Sequence, residues 1–123
     1  MAAKRILVVE DEFLIALDIA GALEDGGLVV LGPAASIDEA LGLLQRESVD
    51  GALLDANLGG HPVGQLADAL AARGLRFAFV SGYGRDQLPA SHRDVPLVRK
   101  PFTAGELLAV VGRFGVGESG RST

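Results

Sequence analysis

The chain has no cysteine and no tryptophan, and only one tyrosine and one methionine. Without cysteine there is neither a disulfide frame nor a thiolate metal site. Its 11 Lys and Arg are outnumbered by 16 Asp and Glu, which leaves a formal charge of −5. Phosphate-backbone binding needs clustered Lys and Arg, so the charge and the scarcity of stacking aromatics argue against nucleic acid as a direct partner. No apolar run is long enough to span a bilayer. The start, Met1-Ala2-Ala3-Lys4-Arg5 followed by four apolar residues, is too short for a secretory signal, so a cytoplasmic location is expected. Internal repeats and low-complexity tracts are absent too. What remains is 123 residues, 49% hydrophobic, which suits one domain with a real core.

Five short apolar runs punctuate the chain. Ile6-Leu7-Val8-Val9 reads as a strand buried on both faces, with Glu10-Asp11-Glu12 after it. A helix is expected from Phe13 to about Asp25, stopped by Gly26-Gly27. Val29-Val30-Leu31 is the second strand, ended by Gly32-Pro33. Ser36-Ile37-Asp38-Glu39 is a capping box, and Ile37, Ala40, Leu41 and Leu44 make one helix face. Gly51 to Leu54 is the third strand, ending at Asp55. His61-Pro62 is expected to open a third helix, with Val63, Leu66, Ala67 and Leu70 on its inner face and Gly74 as its left-handed cap. Phe77-Ala78-Phe79-Val80 is the fourth strand. Arg85 to Asp94 is expected as a fourth helix, the weakest because of Gly84, Pro89 and poor periodicity. Pro96-Leu97-Val98 reads as an edge strand, where Pro is tolerated. Thr103-Ala104-Gly105-Glu106 caps a last helix with Leu107, Val111 and Phe114 on one face, before a Gly- and Ser-rich end. Strands alternating with helical segments call for an α/β fold: a five-stranded parallel sheet with helices on both faces.

Ligands of such sheets bind outside the carboxyl ends of the strands, where strand order reverses. The unusual polar residues fall there: Glu10 and Asp11 after strand one, Asp55 closing strand three, Ser81 after strand four, Lys100 after strand five. An Asp after a strand is commonly just a loop cap, and Ser81 or Lys100 alone would be a turn hydroxyl or a solvated amine. Together their chemistry is complementary. Three carboxylates in one crevice repel, and one Lys cannot neutralise them, whereas a divalent cation can. Oxygen ligands without His or Cys point to Mg²⁺. A carboxylate can attack phosphorus to form an acyl phosphate, and the transferred group then needs positioning and charge neutralisation. Asp55 is the expected phosphoacceptor, with Mg²⁺, the Lys100 ammonium and the Ser81 hydroxyl around the phosphoryl oxygens. His61 is expected in the loop before Pro62, His92 exposed, and Arg99 on the surface.

These residues, in register with their strands from Ile6 to about Phe114, resemble a response-regulator receiver domain of two-component signalling. The resemblance implies a flavodoxin-like, doubly wound sheet of order 2-1-3-4-5, a receiver over 1–115 and a flexible tail over 116–123. It implies that Glu10 and Asp11 are the acidic metal pair, that Asp55 is both phosphoacceptor and metal ligand, and that the backbone carbonyl of Asn57 is a further ligand. Ser81 is similar to the switch hydroxyl and Lys100 to the Lys of the Lys-Pro pair. The run Phe77-Ala78-Phe79-Val80-Ser81-Gly82-Tyr83-Gly84 resembles the "FAT GUY" receivers, often single-domain and paired with HWE-type histidine kinases. Leu97 departs from the family, which carries an aromatic switch residue there; Tyr83 is the candidate to replace part of it or to cover the site. The implied partners are a sensor histidine kinase and a downstream or phosphotransfer protein, with no membrane and a monomeric or weakly dimeric state. Two other readings stand beside it. An aspartyl-phosphate phosphatase would want an acid two residues after the nucleophile, where Asn57 stands. A flavodoxin-like cofactor carrier would find Glu10-Asp11-Glu12 repelling its phosphate.

Overall fold

A computed structural model describes the backbone of residues 3–58 and 61–122 and the side chains of 3–58 and 63–114. β1 (Arg5–Val9) lies between β2 (Val29–Ala34) and β3 (Gly51–Asp55), and the sheet continues through β6 (Arg76–Ser81) to β7 (Leu97–Arg99). All four pairings are parallel, so the five strands run in the expected order: second, first, third, fourth, fifth. Successive strand residues face opposite sides of the sheet. Leu7, Val9, Ala52, Leu54, Phe77 and Phe79 face α2 (Ile37–Arg46) and α3 (Gly64–Ala72). Ile6, Val8, Leu53, Ala78 and Val80 face α1 (Phe13–Asp25) and α4 (Ala104–Ser122). The central strands are therefore apolar on both faces, which is why their sequences are continuous rather than alternating.

Local signals set the helix starts. Glu39 N–H donates to Ser36 Oγ at 3.1 Å, and Glu39 Oε1 accepts from Ala35 N–H at 2.8 Å. At α4, Glu106 N–H donates to Thr103 Oγ1 at 3.1 Å and the Glu106 carboxylate accepts from Thr103 N–H at 2.8 Å. Gly74 ends α3 at φ +71°. Gly51 permits close packing: a Cβ there would lie 2.6 Å from the ring of Phe114.

Four expectations are corrected. The second strand does not end at Gly32-Pro33 but runs on to Ala34. The pairing shifts between Leu7↔Leu31 and Val9↔Ala34, so the Gly-Pro pair forms a bulge on an edge strand, where a missing N–H is tolerated. Gly32 has φ +96°, and a Cβ there would come within 2.6 Å of Ala34 N. His61-Pro62 does not start a helix. It is β5, pairing antiparallel with β4 (Asn57–Leu58), and the helix begins at Gly64. Leu58 is buried at 3% exposure and packs in the core on the α2/α3 side. The fourth helix is replaced by two 3-10 turns, Arg85–Gln87 and Ala90–His92. Pro89 lacks the N–H that an α-helical ladder would need, and Leu88 is the only buried residue of the stretch. The fifth strand starts at Leu97 rather than Pro96. The tail expected over 116–123 lies outside the described side chains.

Candidate functional site

The carboxyl ends of β1, β3, β6 and β7 form one edge of the sheet, and strand order reverses at β1, which has β2 on one side and β3 on the other. Asp55 closes β3, and its partner in β6 is Val80, one residue before Ser81. Ser81 pairs in turn with Arg99, and its carbonyl accepts from Lys100 N–H at 2.8 Å. The ladder thus delivers the four segments side by side.

The side chains converge. Carboxylate oxygens of Glu10, Asp11 and Asp55 all lie within 4.8 Å of one another. Lys100 Nζ stands 3.1 Å from Glu10 Oε1 and 3.8 Å from Asp55 Oδ1. Asp55 Oδ1 accepts from Asn57 N–H at 3.0 Å, and Glu10 Oε2 accepts from Glu12 N–H at 3.2 Å. Ser81 Oγ accepts from Tyr83 N–H at 3.0 Å, so its own proton stays available to a further acceptor. The Lys100–Pro101 peptide is cis, as is Gly32–Pro33.

Charge in this crevice is out of balance. Glu10 is 2% exposed and Asp55 6%. The Glu10 carboxyl is raised to about 7: burial is the largest cause and Asp55 beside it adds to it, while Glu12 N–H and Lys100 act against it. Burial also raises Asp55, opposed chiefly by Asn57 N–H and by the Glu10 and Lys100 side chains. Glu10 Oε1 faces Lys100 as an ion pair without hydrogen-bond geometry, and it has no hydrogen-bond partner among the described residues. A buried, orphaned carboxylate oxygen beside two more acids is a hard, all-oxygen donor set that fits a divalent cation.

Of the other expected residues, Asn57 and Tyr83 reach this knot through their backbone N–H groups. Asn57 is exposed in β4. Tyr83 is 60% exposed. Leu97 pairs with Phe79 and packs, partly buried, on the α2/α3 side of the core. Arg99 is exposed, while the His61 side chain lies outside the described residues.

No protein-family model matches the chain, and comparison with curated proteins gives no significant match. Solved structures do match. SdrG from Sphingomonas melonis Fr1 is 36% identical over 89% of this chain and 98% of its own, with a TM-score of 0.78. A response regulator receiver domain protein (CheY-like) from Methanospirillum hungatei JF-1 is 25% identical over 99% of this chain and 100% of its own, at 0.81. The chain belongs to the response-regulator receiver domains. Another similar structure is a response regulator protein from Burkholderia pseudomallei, solved with a phosphorylated aspartic acid, a calcium ion and citrate. It is 27% identical over 87% of this chain and 65% of its own, at 0.75.

Two features of this receiver had no signal in the sequence. The first is the pair of backbone donors, Glu12 N–H and Asn57 N–H, that hold one oxygen each of Glu10 and Asp55. The second is His92, expected in solvent. Its side chain is only 11% exposed, with Nε2 2.6 Å from Asp68 Oδ1. Asp68 lies 24 residues earlier on α3, where no spacing rule links the two. The receiver also leaves a row of apolar side chains in solvent on α1, beside the acids: Phe13, Leu14 and Leu17.

Proposed function

We propose that Asp55 accepts a phosphoryl group from the phosphohistidine of a sensor histidine kinase, of the HWE type, and that the domain signals through protein contacts. An Asp55 carboxylate oxygen attacks phosphorus, the P–N bond to the donor imidazole breaks, and the imidazole leaves with the electron pair. The observation that carries this reading is the convergence of Glu10, Asp11, Asp55 and Lys100 at one strand edge. Mg²⁺, when bound, neutralises the phosphoryl oxygens. Glu10, Asp11, Asp55 and the Asn57 carbonyl would hold it. Asn57 N–H fixes one Asp55 oxygen and so orients the other outward. Lys100 shifts from the acids to the arriving phosphoryl group, and Ser81 donates its free proton.

Ser81 Oγ is tied to Tyr83 N–H, so a move of this hydroxyl toward the phosphoryl group carries the Tyr83 backbone with it. That coupling replaces the aromatic switch lost at Leu97 and passes the event into residues 85–94. The domain is a signalling module rather than an enzyme with turnover: Asn57 cannot shuttle a proton to water as a phosphatase acid would. It works in the cytoplasm as a monomer or weak dimer. Among the described residues, no helix is long and apolar enough to cross a membrane.

Intact mass after incubation with acetyl phosphate, with and without Mg²⁺, tests the reading. Wild type gains one phosphoryl group only with the cation, and Asp55→Asn gains none. Labelling that persists in Asp55→Asn would overturn it.

A further inference from the structure

Residues 85–94 follow directly on Ser81-Gly82-Tyr83-Gly84. Because they form two 3-10 turns instead of a helix, side chains hold them in place. Leu88 is buried in the core on the α2/α3 side. Arg85 Nη1 donates to the carbonyls of Arg93 at 2.9 Å and Val95 at 2.7 Å, closing the segment on itself. Among the described residues, the only polar side-chain tie from this segment to a neighbouring helix is His92 to Asp68, at 2.6 Å.

The imidazole is placed for that role. Its ring packs edge-on against Phe77, centroids 5.6 Å apart at 68°. An open cavity of about 280 Å³ lies against the ring, lined also by Arg76, Ser91 and Asp94. Of the charged groups around His92, Asp68 from α3 touches it, and Arg76 from β6 and Asp94 from its own segment line the same cavity. Arg76 and Asp94 oppose one another, and Asp68 alone is within bonding distance. Histidine is the side chain type whose free form changes charge within the physiological range. Protonated, it gives Asp68 a charge-assisted hydrogen bond, roughly twice as strong as a neutral one.

We propose that His92 and Asp68 form a protonation-dependent clasp that fastens residues 85–94 to α3, and that the segment loosens as the imidazole loses its proton. The clasp stands without the phosphoryl-transfer reading, since it needs no ligand at Asp55. If both hold, it adds a second input to the same segment.

Hydrogen exchange of amides 84–95, corrected for intrinsic rates and measured without divalent cation at about pH 6 and about pH 8, tests it. Glu10 changes charge in the same range, so the comparison is made in a Glu10→Gln background. There, protection is expected to fall about 1.5-fold to fivefold between the two pH values, the range of a partly exposed ion pair. Asp68→Asn in that background is expected to show the looser state at both. His92→Gln, which can still donate but cannot titrate, is expected to be flat with pH. The His92 ring resonances of the folded protein should titrate in step with the exchange. A pH dependence that survives in Asp68→Asn, or one that does not follow the His92 resonances, overturns the proposal.

Discussion

Glu10 is where the fold works hardest against ionisation. Its carboxyl is raised from 4.5 to about 7, so between those values the folded state binds more protons than the unfolded chain. Stability is then fully present at low pH and falls as pH rises through that window, the opposite of a salt-bridged surface acid. Glu10→Gln keeps the shape and removes the charge. In cation-free buffer at about pH 8 it should stabilise the domain by about 1–2 kcal/mol, read by urea titration, and change little near pH 4.5. A loss of stability at both would show that Glu10 contributes by its contacts instead. Lys100→Met removes the cation nearest both acids. It should lower the rate of labelling by acetyl phosphate at least tenfold, on the order of 1.4 kcal/mol of barrier, while far-UV spectra stay native.

At the scale of elements, Gly32 and Leu88 bear unequal loads. Gly32→Ala meets a positive φ and a backbone atom at 2.6 Å, and should destabilise by about 1–3 kcal/mol in thermal unfolding. Leu88→Ala empties a buried site and should cost about 2–4 kcal/mol if residues 85–94 stay docked. A markedly smaller cost would mean that the segment contributes little to folding. These positions also show what was legible in the sequence. The strands could be read because burial on both faces demands unbroken apolar runs, as in Ala52-Leu53-Leu54. Capping boxes at Ser36 and Thr103 are local chemistry within four residues. The β4–β5 hairpin was not legible, because Pro62 suits a first helical turn, while the burial of Leu58 decides the matter from a distance. Arg85 to Asp94 carries one buried apolar residue, too little to impose a helical period. At the site, the strand ends foretold which side chains meet. Which carboxylate oxygen would be left without a partner depends on rotamers, and the meeting of His92 with Asp68 depends on how α3 docks.

For the whole molecule, the net charge of −5 is most costly at one edge, where two buried acids and an exposed one face a single ammonium. A divalent cation that binds there binds only the folded form and so raises its stability by mass action. At about pH 7.5, millimolar Mg²⁺ should raise Tm by several degrees, and the gain should shrink towards pH 5 as protons compete for the same oxygens. An unchanged Tm at every pH would remove the cation from the site.

The sheet supports its edge residues unevenly. Asp55 ends a strand flanked on both sides and buried along its whole length. Ser81 ends the next strand outward, and Lys100 follows a three-residue strand with a neighbour on one side only. Lys100 is therefore braced by fewer strand neighbours than Asp55 or Ser81. If Asp55 takes up a phosphoryl group as proposed, β7 and the turns before it are the least-braced part of the sheet edge through which a response could pass.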